Sequence, residues 1–367
     1  MSTGEFARGL EGVVAAQSAI CSMEAGLRYR GYDACQLAAK KTFDEVAYLL
    51  LEGELPEERQ LADFRSSIAT NATLPASLAA LLRALPRDSS PMDVLRTATS
   101  TLGTCDALRF DNSRAANLQK SRQLLGQLPL ALAVFWRAPE GNAVPNWRAD
   151  ASIAENILTL LGRGEVDAES VRALDMTLVL YAEHELAAST FAARVVASTL
   201  SDLHAAVTAA IGALKGPLHG GANERVIELL RQFRSPQDAE RWAIQALAEK
   251  RRVMGFGHRV YKQGDPRAEF LREPCRQLAA RVGQQPFEEI ASRIEAVMLR
   301  EKQLHPNLDW PAARIYYYLG LPIPLYTPLF VLARVAGWCA HVIEQHSDNR
   351  LIRPRARYVG PPPRDLP

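Results

Sequence analysis

The sequence offers little to staple, shuttle electrons or hold a metal with. Its five cysteines, Cys21, Cys35, Cys105, Cys275 and Cys339, are widely spaced and contain no CxxC pair. An odd, scattered set fits neither a disulfide framework nor a zinc cluster, so a reduced, cytoplasmic setting is expected. Charge of one sign is also missing: 43 basic against 41 acidic residues leave a formal net charge of +2. That balance excludes the concentrated basic face of a general nucleic-acid binder. Residues 1–9 include Glu5 and Arg8 and have no apolar run, so no signal peptide is expected. The longest apolar runs, Leu128–Trp136 and Ile323–Ala333, fall far short of the ~20 residues that span a bilayer, so no membrane partner is expected. Regular β/α alternation is absent, which argues against a dinucleotide-binding sheet. No internal repeat is visible, and His184-Glu185 lacks the second histidine of a zinc-binding HExxH helix.

What is present is helix. Phe43, Val46, Ala47, Leu50 and Leu51 fall at the i, i+3, i+4 spacing of one buried face. A second helix is expected from about Gln60, and Pro75, Pro86 and Pro91 punctuate further short ones. The stretch Glu185–Ala210 is rich in Ala, Ser and Thr, so its helices can approach closely at the centre of the fold or at a subunit interface. Gly216-Pro217 must stop the helix before it. Asn223 reads as the cap of the next helix, and Ser235 with Pro236 as the start of another. The one convincing strand candidate is Gly26–Asp33, enough for a single hairpin. The fold class is all-α. The Arg- and Pro-rich tail from Arg350 to Pro367 follows the apolar stretch Pro328–Ile343 and suggests an anchor on a second subunit.

Two of the seven histidines stand out through their neighbours. His219 lies in Gly216-Pro217-Leu218-His219-Gly220-Gly221, and His258 in Gly255-Phe256-Gly257-His258. Flanking glycines remove bulk, so a ligand can reach the rings and nearby amides, although a plain turn gives the same pattern. Arg259, Lys262 and Arg267 follow closely and read either as a solvated basic turn or as an anion site. Asp309, in His305-Pro306-Asn307-Leu308-Asp309-Trp310-Pro311, reads as a helix cap or as a general base with a raised pKa.

These blocks together resemble the signatures of citrate synthases: Gly216 to Asn223, Gly255 to Tyr261 with Asp265-Pro266-Arg267, and Pro306 to Asp309. Leu10 to Val14, Tyr29 to Asp33, Glu45 to Leu50, Ala333 to Trp338 and Asn349 to Arg355 are similar to blocks of the same family, so most of the chain is covered. The resemblance implies the citrate synthase fold: a large helical domain (1–221 and 323–367) interrupted by a small helical domain (222–322), built as an intertwined homodimer. It implies condensation of acetyl-CoA with oxaloacetate to give citrate and CoA, with no metal and no cofactor beyond the CoA substrate.

Carried over by position, Asp309 would take the α-proton, His219 would hydrogen-bond the thioester oxygen, and His258 would polarise and protonate the ketone of oxaloacetate. His184, Arg267 and Arg334 would bind oxaloacetate, with Arg353 reaching in from the partner subunit. The segment holding Val253, Gly255 and Gly257 would meet the adenine of CoA, and Lys262 its phosphates. The chain departs from the family pattern at Trp310-Pro311-Ala312-Ala313, where many relatives carry Ser-Gly at the last two positions, and at Glu183, where Asp is commoner. The first change bears on the acyl pocket. Lacking the N-terminal extension of the NADH-inhibited enzymes, the chain is expected to ignore NADH. Asp309-Trp310 and His341 to Gln345 are also similar to the 2-methylcitrate synthase branch, which uses propionyl-CoA. A non-catalytic CoA-binding paralogue is the reading of a different class, and the intact trio argues against it.

Overall fold

The computed structural model describes residues 6–24, 26–138, 143–162, 166–258, 260–261 and 263–366. Helices account for nearly all of its regular structure, from Ala34–Lys40 to Tyr326–Ser347. The amphipathic stretch expected from Phe43 is the helix Phe43–Glu52, closed by a capping box in which Thr42 and Glu45 bond reciprocally. Its five expected core residues are buried, and Leu49 joins them, so the apolar face is wider than the spacing alone requires. The next helix runs Glu58–Asn71, and the prolines delimit Ala76–Ala84 and Pro91–Cys105. Ser235 caps Pro236–Ala248, accepting from the Asp238 amide at 3.2 Å.

Two expectations need correction. The hairpin Arg28–Tyr29 with Tyr32–Asp33 is present, but a third strand, Cys21–Ser22, pairs with it antiparallel. Two residues carry too little alternation to register as a strand. Asn223 is not a cap: the helix is Ala222–Leu230 with Gly221 before it, and the Asn223 side chain turns inward. There a buried tyrosine, Tyr181, engages its amide.

The small-residue helices Ala188–Ser198 and Leu203–Leu214 pack on each other and on Tyr326–Ser347. Ala193, Ala197, Ala206 and Ala210 are fully buried, which lets the backbones approach. Tyr326–Ser347 runs through the core, and the apolar stretch Ile323–Ser347 is the one among the described residues long and apolar enough to cross a bilayer. Because 89% of its most apolar window is buried inside the protein, the core accounts for that hydrophobicity. The helix touches Phe43–Glu52, Ala168–Tyr181 and Ala188–Ser198, and so fixes the segment 182–187 that joins the last two. A second group packs together further on: Pro236–Ala248 on Gln285–Lys302, and Pro266–Arg281 on Asp309–Tyr318.

Candidate functional site

Asp309 opens the helix Asp309–Tyr318, and the cap position belongs to Leu308, which makes no side-chain cap bond. The carboxylate is therefore free of the capping duty that its spacing suggested. It accepts a 2.6 Å hydrogen bond from the Tyr181 hydroxyl, while its own amide donates to Asn307 Oδ1 at 3.1 Å. Burial pushes the carboxyl up to about 6 against the lowering effects of the Tyr181 bond and the Arg267 charge. Tyr181 also lies 3.1 Å from the Asn223 amide. A hydroxyl has one proton, and the shorter bond to Asp309 takes it. Asn223 must then donate, with its Nδ2 turned to Tyr181; in the other orientation that nitrogen is buried without a partner.

The loop carrying His258 is tied to the Asp309 loop by a bridge between Phe256 and Pro306. Gly257 N donates to the His305 carbonyl, Asn307 N to the Gly255 carbonyl and Asn307 Nδ2 to the Gly257 carbonyl, each at 2.9 Å. Gly255 adopts φ +85°, and a Cβ there would press into Trp310 and Val226. At this position glycine serves close packing rather than the ligand access read from the sequence; at Gly257, φ +76°, only Leu304 comes near. The His258 Nδ1 accepts the amides of Val260 and Tyr261 at 3.1 and 3.2 Å, so the neutral ring carries its proton on Nε2. Arg267 Nη2, itself only a donor, approaches that nitrogen at 3.4 Å, a longer contact that the two amide bonds to Nδ1 outweigh in setting the tautomer.

Arg267 is buried and doubly bonded to Asp265, through Nε at 2.9 Å and Nη2 at 2.8 Å. Asp265 in turn accepts the Leu308 amide at 3.0 Å, locking the arginine to the backbone next to Asp309. Of the three cations of the basic loop, Arg267 is thus an internal charge; Arg259 and Lys262 lie outside the described residues.

His219 approaches from the other side. Trp338 Nε1 donates to Ser189 Oγ at 3.2 Å, and Ser189 Oγ lies 2.8 Å from His219 Nε2. The Ser189 amide points at the same nitrogen at 3.4 Å. With two donors directed at it, Nε2 accepts, and the ring proton sits on Nδ1. Burial and the Arg334 charge push the imidazole down to about 4, so it stays neutral near pH 7. Phe330 separates the Tyr181 and His219 rings, with centroids 4.4 and 6.1 Å away. Contacts therefore run unbroken from Asp309 through Tyr181 and Phe330 to His219.

His184 sits 5.2 Å from His258, ring to ring, and Tyr261 packs against both. Burial, with the charges of Arg267 and Arg334, holds it well below the usual histidine range. Its Nε2 is buried without a hydrogen-bond partner. Arg334, also buried, donates through Nε to the Tyr181 carbonyl at 2.6 Å and stands over the Phe330 ring, and its Nη1 has no partner. Two buried cations beside two imidazoles, with unspent nitrogens on His184 and Arg334, form a site suited to a small polycarboxylate. Arg353 is not among them: it lies on the exposed tail and makes no hydrogen bond or ion pair among the described residues. Val253 is buried, and no cluster able to hold a metal occurs among the described residues. Tyr181 and Ser189 escape sequence reasoning, since each acts on a residue far away in the chain.

The family model "Citrate synthase, C-terminal domain" matches residues 9–355. The chain is similar to citrate synthase 2 of Bacillus subtilis (strain 168), 42% identical over 96% of each chain. It is equally similar to the 2-methylcitrate synthase of Shewanella oneidensis, 42% identical over 99% of this chain and 96% of that one. Among solved structures, the ternary complex of carboxymethyl coenzyme A and oxaloacetate with citrate synthase from Thermoplasma acidophilum superposes with a TM-score of 0.91. That protein is 32% identical, over 99% of this chain and 98% of the other.

Proposed function

The chain belongs to the citrate synthase family, and on that premise we propose that it condenses acetyl-CoA with oxaloacetate and hydrolyses the resulting thioester to citrate and CoA. The observation that carries the reading is the half-buried Asp309 carboxylate, tied through Tyr181 and Phe330 to a neutral His219 and through Asp265 to Arg267 beside His258.

Asp309 removes a proton from the carbon α to the thioester. His219, with its proton on Nδ1, donates to the thioester oxygen as negative charge gathers there, the stabilisation an oxyanion site supplies. The enol carbon attacks the ketone carbon of oxaloacetate, and His258 delivers its Nε2 proton to the new alkoxide. Water then cleaves the thioester, which makes the sequence irreversible. His184, Arg267 and Arg334 hold the two carboxylates of oxaloacetate, and the backbone around Val253 and Gly257 receives CoA.

The site is divided between chain segments in a way that supports two domains, 222–322 inserted between 1–221 and 323–367. His184, His219 and Arg334 belong to one part, His258, Arg267 and Asp309 to the other. Closure of the second part over oxaloacetate would complete the acyl-CoA site and shield the thioester from water. The exposed Arg353, unpaired among the described residues, supports a homodimer in which the tail completes the partner's site.

Propionyl-CoA is the second acyl donor to weigh, because relatives named for citrate and for 2-methylcitrate are equally similar. One methylene changes pocket binding by only about 1–3 kcal/mol. Comparing kcat/KM for the two thioesters decides the preference. A higher value for acetyl-CoA supports citrate synthesis, and a higher value for propionyl-CoA transfers the assignment to 2-methylcitrate.

Two further outcomes follow. Only ionised Asp309 can accept the proton, so kcat/KM is expected to fall as pH drops below about 6. Tyr181→Phe removes a hydrogen bond that favours the ionised form, so the acidic limb moves to higher pH; a limb that stays in place would separate Tyr181 from the base. Arg353→Ala should raise the oxaloacetate KM about 10- to 100-fold, the loss of one charged hydrogen bond. Mixing Arg353→Ala with Asp309→Asn chains should rebuild one complete site per mixed dimer and recover low-KM activity. No recovery would mean that the arginine does not act across an interface.

A further inference from the structure

Glu183, immediately before His184, is fully buried, as is His341 from the Tyr326–Ser347 helix. Glu183 Oε1 lies 3.1 Å from His341 Nε2, and the other imidazole nitrogen lies 3.0 Å from Arg194 Nη1. Arginine can only donate, so His341 Nδ1 accepts and the neutral ring presents its proton to Glu183. Arg194 is itself held by Glu344 Oε2 at 2.6 Å and Gln345 Oε1 at 3.0 Å. The tautomer of His341 is therefore set from behind, in the manner of a donor aimed at one carboxylate.

The same helix face grips the 181–189 segment along its length. Arg334 donates to the Tyr181 carbonyl, His341 meets Glu183, and Trp338 donates to Ser189. Between them Gly337 leaves room for the segment, since a Cβ there would overlap Glu183 Oε2 and the Ala182 carbonyl. The gripped turn is strained: Glu185 holds φ +55°, a left-handed conformation that non-glycine residues avoid. Such backbone persists only where its surroundings enforce it. Leaving Glu183 Oε2 buried without a partner is likewise costly, and an apolar pair would avoid that cost.

We propose that Glu183 and His341 are a positioning pair, which clamps the strained 183–185 turn so that His184 points beside His258 into the oxaloacetate pocket. This rests on the reading of His184 as an oxaloacetate ligand. Neither residue touches the substrate.

The test is calorimetric titration of the full-length protein with oxaloacetate, alongside steady-state kinetics. His341→Leu removes the donor and should weaken oxaloacetate binding about tenfold or more, with the acyl-CoA KM at saturating oxaloacetate within about threefold of the starting protein. His341→Gln restores an N–H toward Glu183 and should recover most of the loss. Should His341→Leu fail to fold, the double variant Glu183→Met/His341→Leu removes charge and donor together, leaving one Arg194 N–H without its acceptor while Glu344 and Gln345 still hold that arginine. It is expected to fold and still to bind oxaloacetate about tenfold more weakly. Wild-type affinity in His341→Leu or in the double variant would overturn the proposal and leave the pair a purely structural one. Equal losses in His341→Leu and His341→Gln would overturn it too. If the unmodified protein binds no oxaloacetate, the functional reading itself falls; if it binds and the variants bind alike, only the positioning pair does.

Discussion

Asp309→Asn is expected to lower turnover by roughly 10²- to 10⁴-fold, the range over which a positioned general base contributes. The substitution is nearly isosteric. The carboxamide oxygen it introduces would still accept from the Tyr181 hydroxyl, and the bond from the residue's own backbone amide to Asn307 survives. What disappears is the group placed to remove the α-proton, and a carboxamide has no comparable basicity. Loss should therefore appear in kcat with saturating substrates and in exchange of the acyl-CoA α-hydrogens with solvent. Oxaloacetate affinity should hold, because Arg267, Arg334 and His184 are untouched. Residual exchange at the starting rate would place the base elsewhere.

His219→Ala should cost about 10²- to 10³-fold in kcat, the usual effect of losing one donor to a developing oxyanion. The structure limits collateral damage, since Ser189 keeps its bond from Trp338 and the 181–189 segment keeps its anchors on Arg334 and His341. The His219 imidazole is neutral over the working range because burial holds its pKa near 4. Its contribution should consequently be flat between about pH 5 and 8, and the pH profile of the residual activity should still follow Asp309. A new titration near neutrality in the profile of the unmodified protein would contradict the neutral donor. Near-normal turnover in His219→Ala would assign the enolate's stabilisation to another group.

Local chemistry made much of this legible beforehand. Proline and serine mark the Pro236–Ala248 start because their effects on the first turn are local. The glycines before His258 stand out in sequence because Gly255 and Gly257 hold positive φ, a backbone conformation that demands glycine. The functions of Tyr181, Ser189 and Glu183 were illegible for the opposite reason. Tyr181 meets Asp309 across 128 residues, and Glu183 meets His341 across 158. No spacing rule reaches that far. Asn223 shows the competition directly: its type suits a cap, but an inward tyrosine claims the amide. On Tyr326–Ser347 the residues 334, 337, 338 and 341 form one stripe at i, i+3, i+4 and i+7, hidden within a run of core hydrophobics. Gly255 carries a similar lesson, for its lack of a side chain accommodates Trp310 as closely as any ligand.

Release of CoA, followed with a thiol reagent while the product is identified by mass, probes the proposed convergence of Asp309, His219 and His258 most directly. Acetyl-CoA or propionyl-CoA should yield CoA only when oxaloacetate is present, together with a tricarboxylic acid that contains the carbons of both substrates. CoA release that ignores oxaloacetate, or none from either thioester with oxaloacetate saturating, would contradict it.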